Sequence, residues 1–122
     1  VADLLLDTDV FVDHLRGVRR MRPGRHRLHY SVVTRCELFA GRGADEEMLR
    51  LLLAPFRELP VDREVAERAG RIRRETGVRT PDALIAATAL EHRLTLVTRN
   101  LRDLQPVRGL RLSAPERILP AR

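Results

Sequence analysis

The sequence predicts an α/β fold: a mostly parallel central sheet of about four to five strands with helices on both faces. Three observations carry this. Short apolar runs alternate along the chain with segments whose apolar residues recur at helical spacing. The runs are continuous rather than alternating, Leu4-Leu5-Leu6 most clearly, as in strands buried on both sides. The 122 residues, 43% of them hydrophobic, suffice for one core, whereas two would each be too small to stand alone.

Leu4 to Leu6 reads as a strand ending at Asp7. Val10, Phe11 and Leu15 then fall near helical spacing, so a helix follows to about Gly17. Residues 17–27, with Pro23 and two glycines, read as loop. Leu28 to Val33 is the second strand, and a helix from about Thr34 to Ala40 stops at Gly41. Asp45 to Leu53 is a third helix, closed by Pro55. Phe56 to Val61 holds a short edge strand whose pairing Pro60 limits. Asp62 caps a helix to about Thr76, with Gly77 as its stop; the spacings Glu64–Arg68, Glu67–Arg71 and Arg71–Glu75 predict ion pairs on its solvent face. At Thr80-Pro81 a capping Thr precedes Pro at the first helical position. That helix runs to about His92, and its segment Ala83-Leu84-Ile85-Ala86-Ala87 is apolar on every side, hence buried on most faces. Leu94 to Val97 is the third core strand, Leu110 to Leu112 a last one, and residues 113–122 a surface tail.

Charge excludes several chemistries. All 23 basic side chains are Arg, so no Lys is present for a Schiff base or a phosphate loop. A single Cys, Cys36, excludes a disulfide framework and a Cys-rich zinc site. No apolar stretch approaches a membrane span and no signal region opens the chain, so a cytoplasmic protein is expected. The net charge of +6 is concentrated. Arg16, Arg19, Arg20, Arg22, Arg25, Arg27 and Arg35 follow one another with no acid between, so residues 14–36 carry +7 and the rest sums to −1. Such a stretch suits phosphate contacts, because Arg pairs bidentately with phosphate; it equally suits an acidic protein partner.

Four acids fall where an α/β sheet gathers its chemistry, at the carboxyl ends of strands. Asp7 ends the first strand, Glu37 lies just past the second, Asp103 a few residues beyond the third, and Asp82 in the first turn of the buried helix. Converging carboxylates repel unless a divalent cation binds them, and oxygen-only ligands suit Mg²⁺ or Mn²⁺. Such a cation makes a bound water more acidic and stabilises charge on a phosphodiester. Each acid also has a structural reading. Thr34-Arg35-Cys36-Glu37 fits a capping box, Asp82 suits the start of a helix, and Asn100-Leu101-Arg102-Asp103 fits another helix start. Asp7-Thr8-Asp9 looks like the Asp-x-Asp of haloacid-dehalogenase-type phosphatases, but those need a Lys or equivalent cation later and usually have Thr or Val where Phe11 stands, and receiver domains need a Lys that is absent here.

Four segments resemble, in order, the motifs of PIN domains, and specifically of VapC-type toxins from bacterial toxin–antitoxin pairs: Leu4-Leu5-Leu6-Asp7-Thr8-Asp9-Val10, Ser31 to Gly41, Pro81 to Ala89 and Thr98 to Leu104. The likeness covers roughly residues 3–112, so 1–112 is expected to be a single PIN domain followed by the 113–122 tail. It implies that Asp7, Glu37, Asp82 and Asp103 are the catalytic acids and bind Mg²⁺ or Mn²⁺, with Thr98, Asn100 and Asp9 in support. Asp9 stands where relatives commonly have Asn or Ser, and the Arg-rich segment is shorter than in many relatives. The implied protein is a metal-dependent endoribonuclease toxin cutting structured RNA (tRNA or ribosomal RNA). It forms a homodimer and is neutralised by a VapB-like antitoxin in a heterotetramer or larger. Arg16, Arg19, Arg20, Arg22, Arg25 and Arg27 are expected to bind the RNA and line the approach to the acids. The alternatives are a catalytically silent PIN-like binding module and, less favoured, an Asp-x-Asp phosphatase.

Overall fold

The computed structural model describes residues 2–21 and 24–119. Strands β1 (Asp3–Leu6), β2 (Arg27–Ser31), β3 (Arg57–Leu59), β4 (Thr95–Val97) and β5 (Leu112–Ser113) form one sheet in the order β3-β2-β1-β4-β5. Every pairing is parallel, so the sheet is wholly rather than mostly parallel. Central strand β1 explains the Leu run. Leu5 packs among the residues of α4 (Arg63–Thr76) and α5 (Thr80–Glu91), while Leu4 and Leu6 pack with those of α1 (Thr8–Leu15), α2 (Val32–Phe39) and α3 (Glu46–Leu53). All three leucines are essentially inaccessible, each stabilising the fold by roughly 1.5–3 kcal/mol.

On the α1–α3 face, Phe11 is the hub. Its ring meets Tyr30 edge-on at 5.7 Å and Phe56 at 5.4 Å. On the other face, Ala83, Ala86, Ala87 and Ala89 of α5 are fully buried. Their small side chains let the helix lie close to its neighbours. Two short helices, α6 (Leu101–Leu104) and α7 (Pro115–Ile118), complete the chain. Among the described residues no helix is long and apolar enough to cross a membrane.

Several boundaries differ from the sequence reading. Strand β2 stops at Ser31, whose hydroxyl accepts from the Val33 amide (3.0 Å) and caps α2. Val32 and Val33 are therefore helical, Thr34 lies inside the helix, and the Thr34–Glu37 capping box does not form. Helix α5 is capped by Arg79, because the Arg79 carbonyl already accepts from the Ala83 amide (2.8 Å); Thr80 is its first residue. Of the three ion pairs expected along α4, none forms. The packing of α4 on α5 offers Arg68 the Glu91 carboxylate instead. The segment 113–119 is not a surface tail. It adds Ser113 to the sheet and buries Pro115 and Leu119, and Arg19 Nη1 donates to the Leu119 carbonyl (3.0 Å). Residues 120–122 of that tail, and Arg22, lie outside the described residues.

Candidate active site

The chain winds outward from β1 through β2 to β3 on one side and then crosses back to β4 and β5 on the other, so the strand order reverses between β1 and β4, where α/β sheets open a crevice beyond their carboxyl ends. Asp7 is held there. Its amide donates to the Val97 carbonyl (3.0 Å), extending β1's hold on β4 by one residue. As the residue capping α1, it accepts from the Thr8 amide at Oδ1 (2.7 Å) and from the buried Thr98 hydroxyl at Oδ2 (2.7 Å). Asp9, one residue into α1, accepts at Oδ2 from the same hydroxyl (3.2 Å) and from the Arg99 amide (3.1 Å). Its Oδ1 is buried without a hydrogen-bond partner. Glu37 projects from α2, and its Oε1 accepts from the Thr8 hydroxyl (2.6 Å). Asp82 stands in the first turn of α5 and Asp103 on α6.

These carboxylates feel one another. Burial and then the Asp9 charge push Asp7 up to about 7, against the pull of its bonds from Thr98 and Thr8; Asp82 adds to the rise. Burial also raises Asp9, opposed by the donors at Arg99 and Thr98. Asp82 is raised by burial and by the Glu37 and Asp103 charges, with Arg79 opposing. The charges of Asp9 and Asp82 thus act on Asp7, and those of Glu37 and Asp103 on Asp82. Among the described residues, however, no three of them converge as a ready-made ligand shell. The donor set fits a hard divalent cation: oxygen ligands only, excess negative charge, and the orphaned Asp9 Oδ1.

Of the supporting residues, Thr98 is fully buried and serves two carboxylates, whereas Asn100 contributes its backbone amide, donating to Thr98 Oγ1 (2.9 Å). Sequence reasoning misses two hydroxyls. Thr8 meets both Glu37 and the Thr34 hydroxyl (2.9 Å), tying α1 to α2 beside the acids. Both threonines lie within the family-like motifs, and a hydroxyl among carboxylates is the signal that could have found them.

Among the described residues, no hydrogen bond or ion pair joins Arg16, Arg19, Arg20, Arg25, Arg27 or Arg35 to the acids. Residues 16–26 connect the end of α1 to the start of β2, which returns the chain to the amino-terminal edge of the sheet. There the Ala2 amide donates to His26 Nδ1 (3.1 Å), and Arg27 pairs with Asp3. Arg16, Arg20 and Arg25 are exposed at that edge, and Arg35 is paired with Glu58. A cleft of about 490 Å³ opens there too, lined by His14, Met21, Leu28, Leu52 and Phe56 among others. Among the described residues no carboxylate lines it, so despite its volume it lacks the chemistry of the acidic crevice.

A sequence model of the PIN domain matches residues 4–108. Ribonuclease VapC10 of Mycobacterium tuberculosis strain H37Rv is 39% identical over 114 residues, covering 80% of this chain and 83% of that protein. Among solved structures, a toxin–antitoxin complex from Klebsiella pneumoniae superposes with a TM-score of 0.78 at 30% identity, covering 92% of this chain and 97% of the other. DNA-bound VapBC from Salmonella typhimurium gives 0.77 at 22% identity over 93% and 98%, a likeness of fold.

Proposed function

The chain belongs to the PIN-domain family, and from that premise we propose that it is a divalent-metal-dependent endoribonuclease toxin of the VapC type, restrained by a VapB-like antitoxin. The observation that carries the reading is the carboxyl end of β1, where Asp7 and Asp9 hang from a single buried hydroxyl and Glu37 is held by Thr8 beside them. Asp7, Glu37, Asp82 and Asp103 are the residues that hold Mg²⁺ or Mn²⁺, with Asp9 beside them. When bound, the cation supplies positive charge for a phosphodiester undergoing displacement and a more acidic water.

The protein's own groups set the geometry. Thr98 fixes the rotamers of Asp7 and Asp9 together, and the Asn100 amide fixes Thr98. Thr8 holds Glu37 towards α1. Cleavage leaves 5′-phosphate and 3′-hydroxyl ends. Incubating tRNA or ribosomal RNA with the protein in Mg²⁺ or Mn²⁺ should give discrete fragments, and EDTA should suppress them. RNA binding without cleavage in either metal would instead indicate a silent PIN module.

The proposed partners are a structured RNA, a second copy of the chain and the antitoxin. Leu15, Val18, Met48 and Leu51 are large apolar side chains left exposed on the α1–α3 side, surface on which an antitoxin can fasten. The arginines at the amino-terminal edge are proposed to grip the body of a folded RNA. Replacing Arg16, Arg20 and Arg25 by Gln should weaken binding of intact tRNA and lower its salt slope by about 3, since each duplex phosphate no longer neutralised removes roughly 0.9. Binding of a short single strand should be unaffected. Equal losses for both ligands would overturn this division of labour.

A further inference from the structure

The acidic crevice needs cations of its own, because among the described residues no arginine of the 16–35 stretch pairs with its acids. Among the described residues, Arg79, Arg99 and Arg102 stand near the acids in the chain and fold. Arg99 is committed: its Nε pairs with Asp13 Oδ2 at 3.0 Å. Arg79 and Arg102 are exposed, and neither side chain makes an ion pair or hydrogen bond among the described residues.

Both line one cleft of about 310 Å³, which also contains Asp82, Asp103, Gly77 and Pro106. It therefore adjoins two of the acids directly. Its volume is at the small end of ligand-sized clefts, about 300 Å³ and upward. Arg79 is close enough to Asp82 to oppose the rise in its pKa, yet it is not paired with it. The backbone behind Arg79 is fixed at both ends. Arg73 Nε donates to the Val78 carbonyl (3.1 Å), the Val78 amide to Thr76 Oγ1 (3.1 Å), and the Ala83 amide to the Arg79 carbonyl (2.8 Å). Gly77 supplies the left-handed turn, φ 77°, that brings the chain from α4 into this loop.

Two unpaired guanidiniums on a rigid rim, with carboxylates on the inner wall, make a surface of alternating sign. An RNA backbone matches it: one phosphodiester lies over the acids and their cation, the next over the arginines, each of which can bind phosphate bidentately. We propose that Arg79 and Arg102 form a phosphate subsite that holds the RNA phosphate neighbouring the scissile one. This rests on the reading that the acidic edge cuts RNA.

The test uses the full chain in an Asp7→Asn background, a fluorescein-labelled single-stranded oligoribonucleotide, and anisotropy over a salt series. Arg79→Ala with Arg102→Ala should raise Kd at least tenfold and reduce the slope of log Kd against log salt by about 1.4, at roughly 0.7 for each single-strand phosphate neutralised. Arg79→Lys with Arg102→Lys should keep most of the slope, since the charge remains. In the cleaving protein the Ala pair should raise KM about tenfold or more and change kcat little. An unchanged salt slope overturns the subsite, as does a changed Mg²⁺ midpoint with unchanged RNA affinity, which would make the arginines mere counter-charges. If the unmodified chain cuts no RNA but the Ala pair still flattens the slope, the nuclease reading fails, and the arginines are a backbone-phosphate site with no scissile neighbour, which overturns the proposal in that form. If it cuts and the slope is unchanged, the subsite alone fails.

Discussion

Asp7→Asn is expected to reduce RNA cleavage by at least about a thousandfold and, at neutral pH without metal, to make the fold more stable. The first effect follows from the position of Asp7, which touches Thr8, Thr98 and the field of Asp9 and Asp82 at once. An amide keeps the shape and removes the charge that a divalent cation needs. The second follows from linkage. Burial and the Asp9 charge raise Asp7 from 3.8 to about 7 in the native state, so the native state binds this proton more tightly than the unfolded chain does. Asp7 therefore adds stability below about pH 4, and that stability is lost as pH rises towards 7. The ceiling is about 4 kcal/mol at 1.36 kcal/mol per pKa unit, less whatever solvent screens. In EDTA, the wild-type melting temperature should fall between pH 5 and pH 8 more steeply than that of the variant. Added Mg²⁺ should recover the wild type and leave the variant where it was. Equal pH slopes for the two proteins would show that Asp7 is not the strained group.

Thr98→Val is the second large expectation. The two side chains are close in size, so packing is preserved, but one buried hydroxyl with three partners disappears. Asp7 and Asp9 lose a donor and the Asn100 amide loses its acceptor. An unsatisfied buried group costs about 1–3 kcal/mol, so the fold should be weakened by that order. Cleavage should fall about 10–100-fold, the usual cost of removing a group that orients metal ligands. The variant also has a signature that simple destabilisation does not produce. The Thr98 bond is one of the influences holding Asp7 down, so its removal lifts Asp7 further and moves the acid limb of the cleavage profile to higher pH. Thr98→Ser, which keeps the hydroxyl, should restore the profile. A loss of rate with no shift of that limb would assign Thr98 to packing alone.

The positions of Asp7, Glu37 and Asp103 near strand ends are legible in the sequence because each sits a short distance past an apolar run, and that distance survives folding. Asp7 needs only the end of β1, and Glu37 only the first turns after β2. The arginines are misplaced by the sequence for the opposite reason. Arg27 is ten residues from Glu37, and sequence proximity suggests spatial proximity. A strand and most of a helix intervene, however, and β2 runs from one edge of the sheet to the other. The start of α2 is hidden because Val32 and Val33 favour strands by propensity, while the Ser31 hydroxyl satisfies the helix amides one step earlier. The burial of Leu119 is not legible either. A short segment with two prolines has no periodicity, and only its packing beside Met21 shows where it goes.

The bond from Thr98 to Asp7 spans 91 residues of chain. β1 emerges early in synthesis, but it lies at the centre of the sheet and cannot be enclosed until β4 pairs with it. A parallel sheet closed by such distant contacts folds late and comparatively slowly. A chain that ends before residue 98 therefore lacks the hydroxyl that ties Asp7 to Asp9. The Asp7–Thr98 contact, and with it the paired setting of Asp7 and Asp9, can therefore form only once β4 has docked on β1.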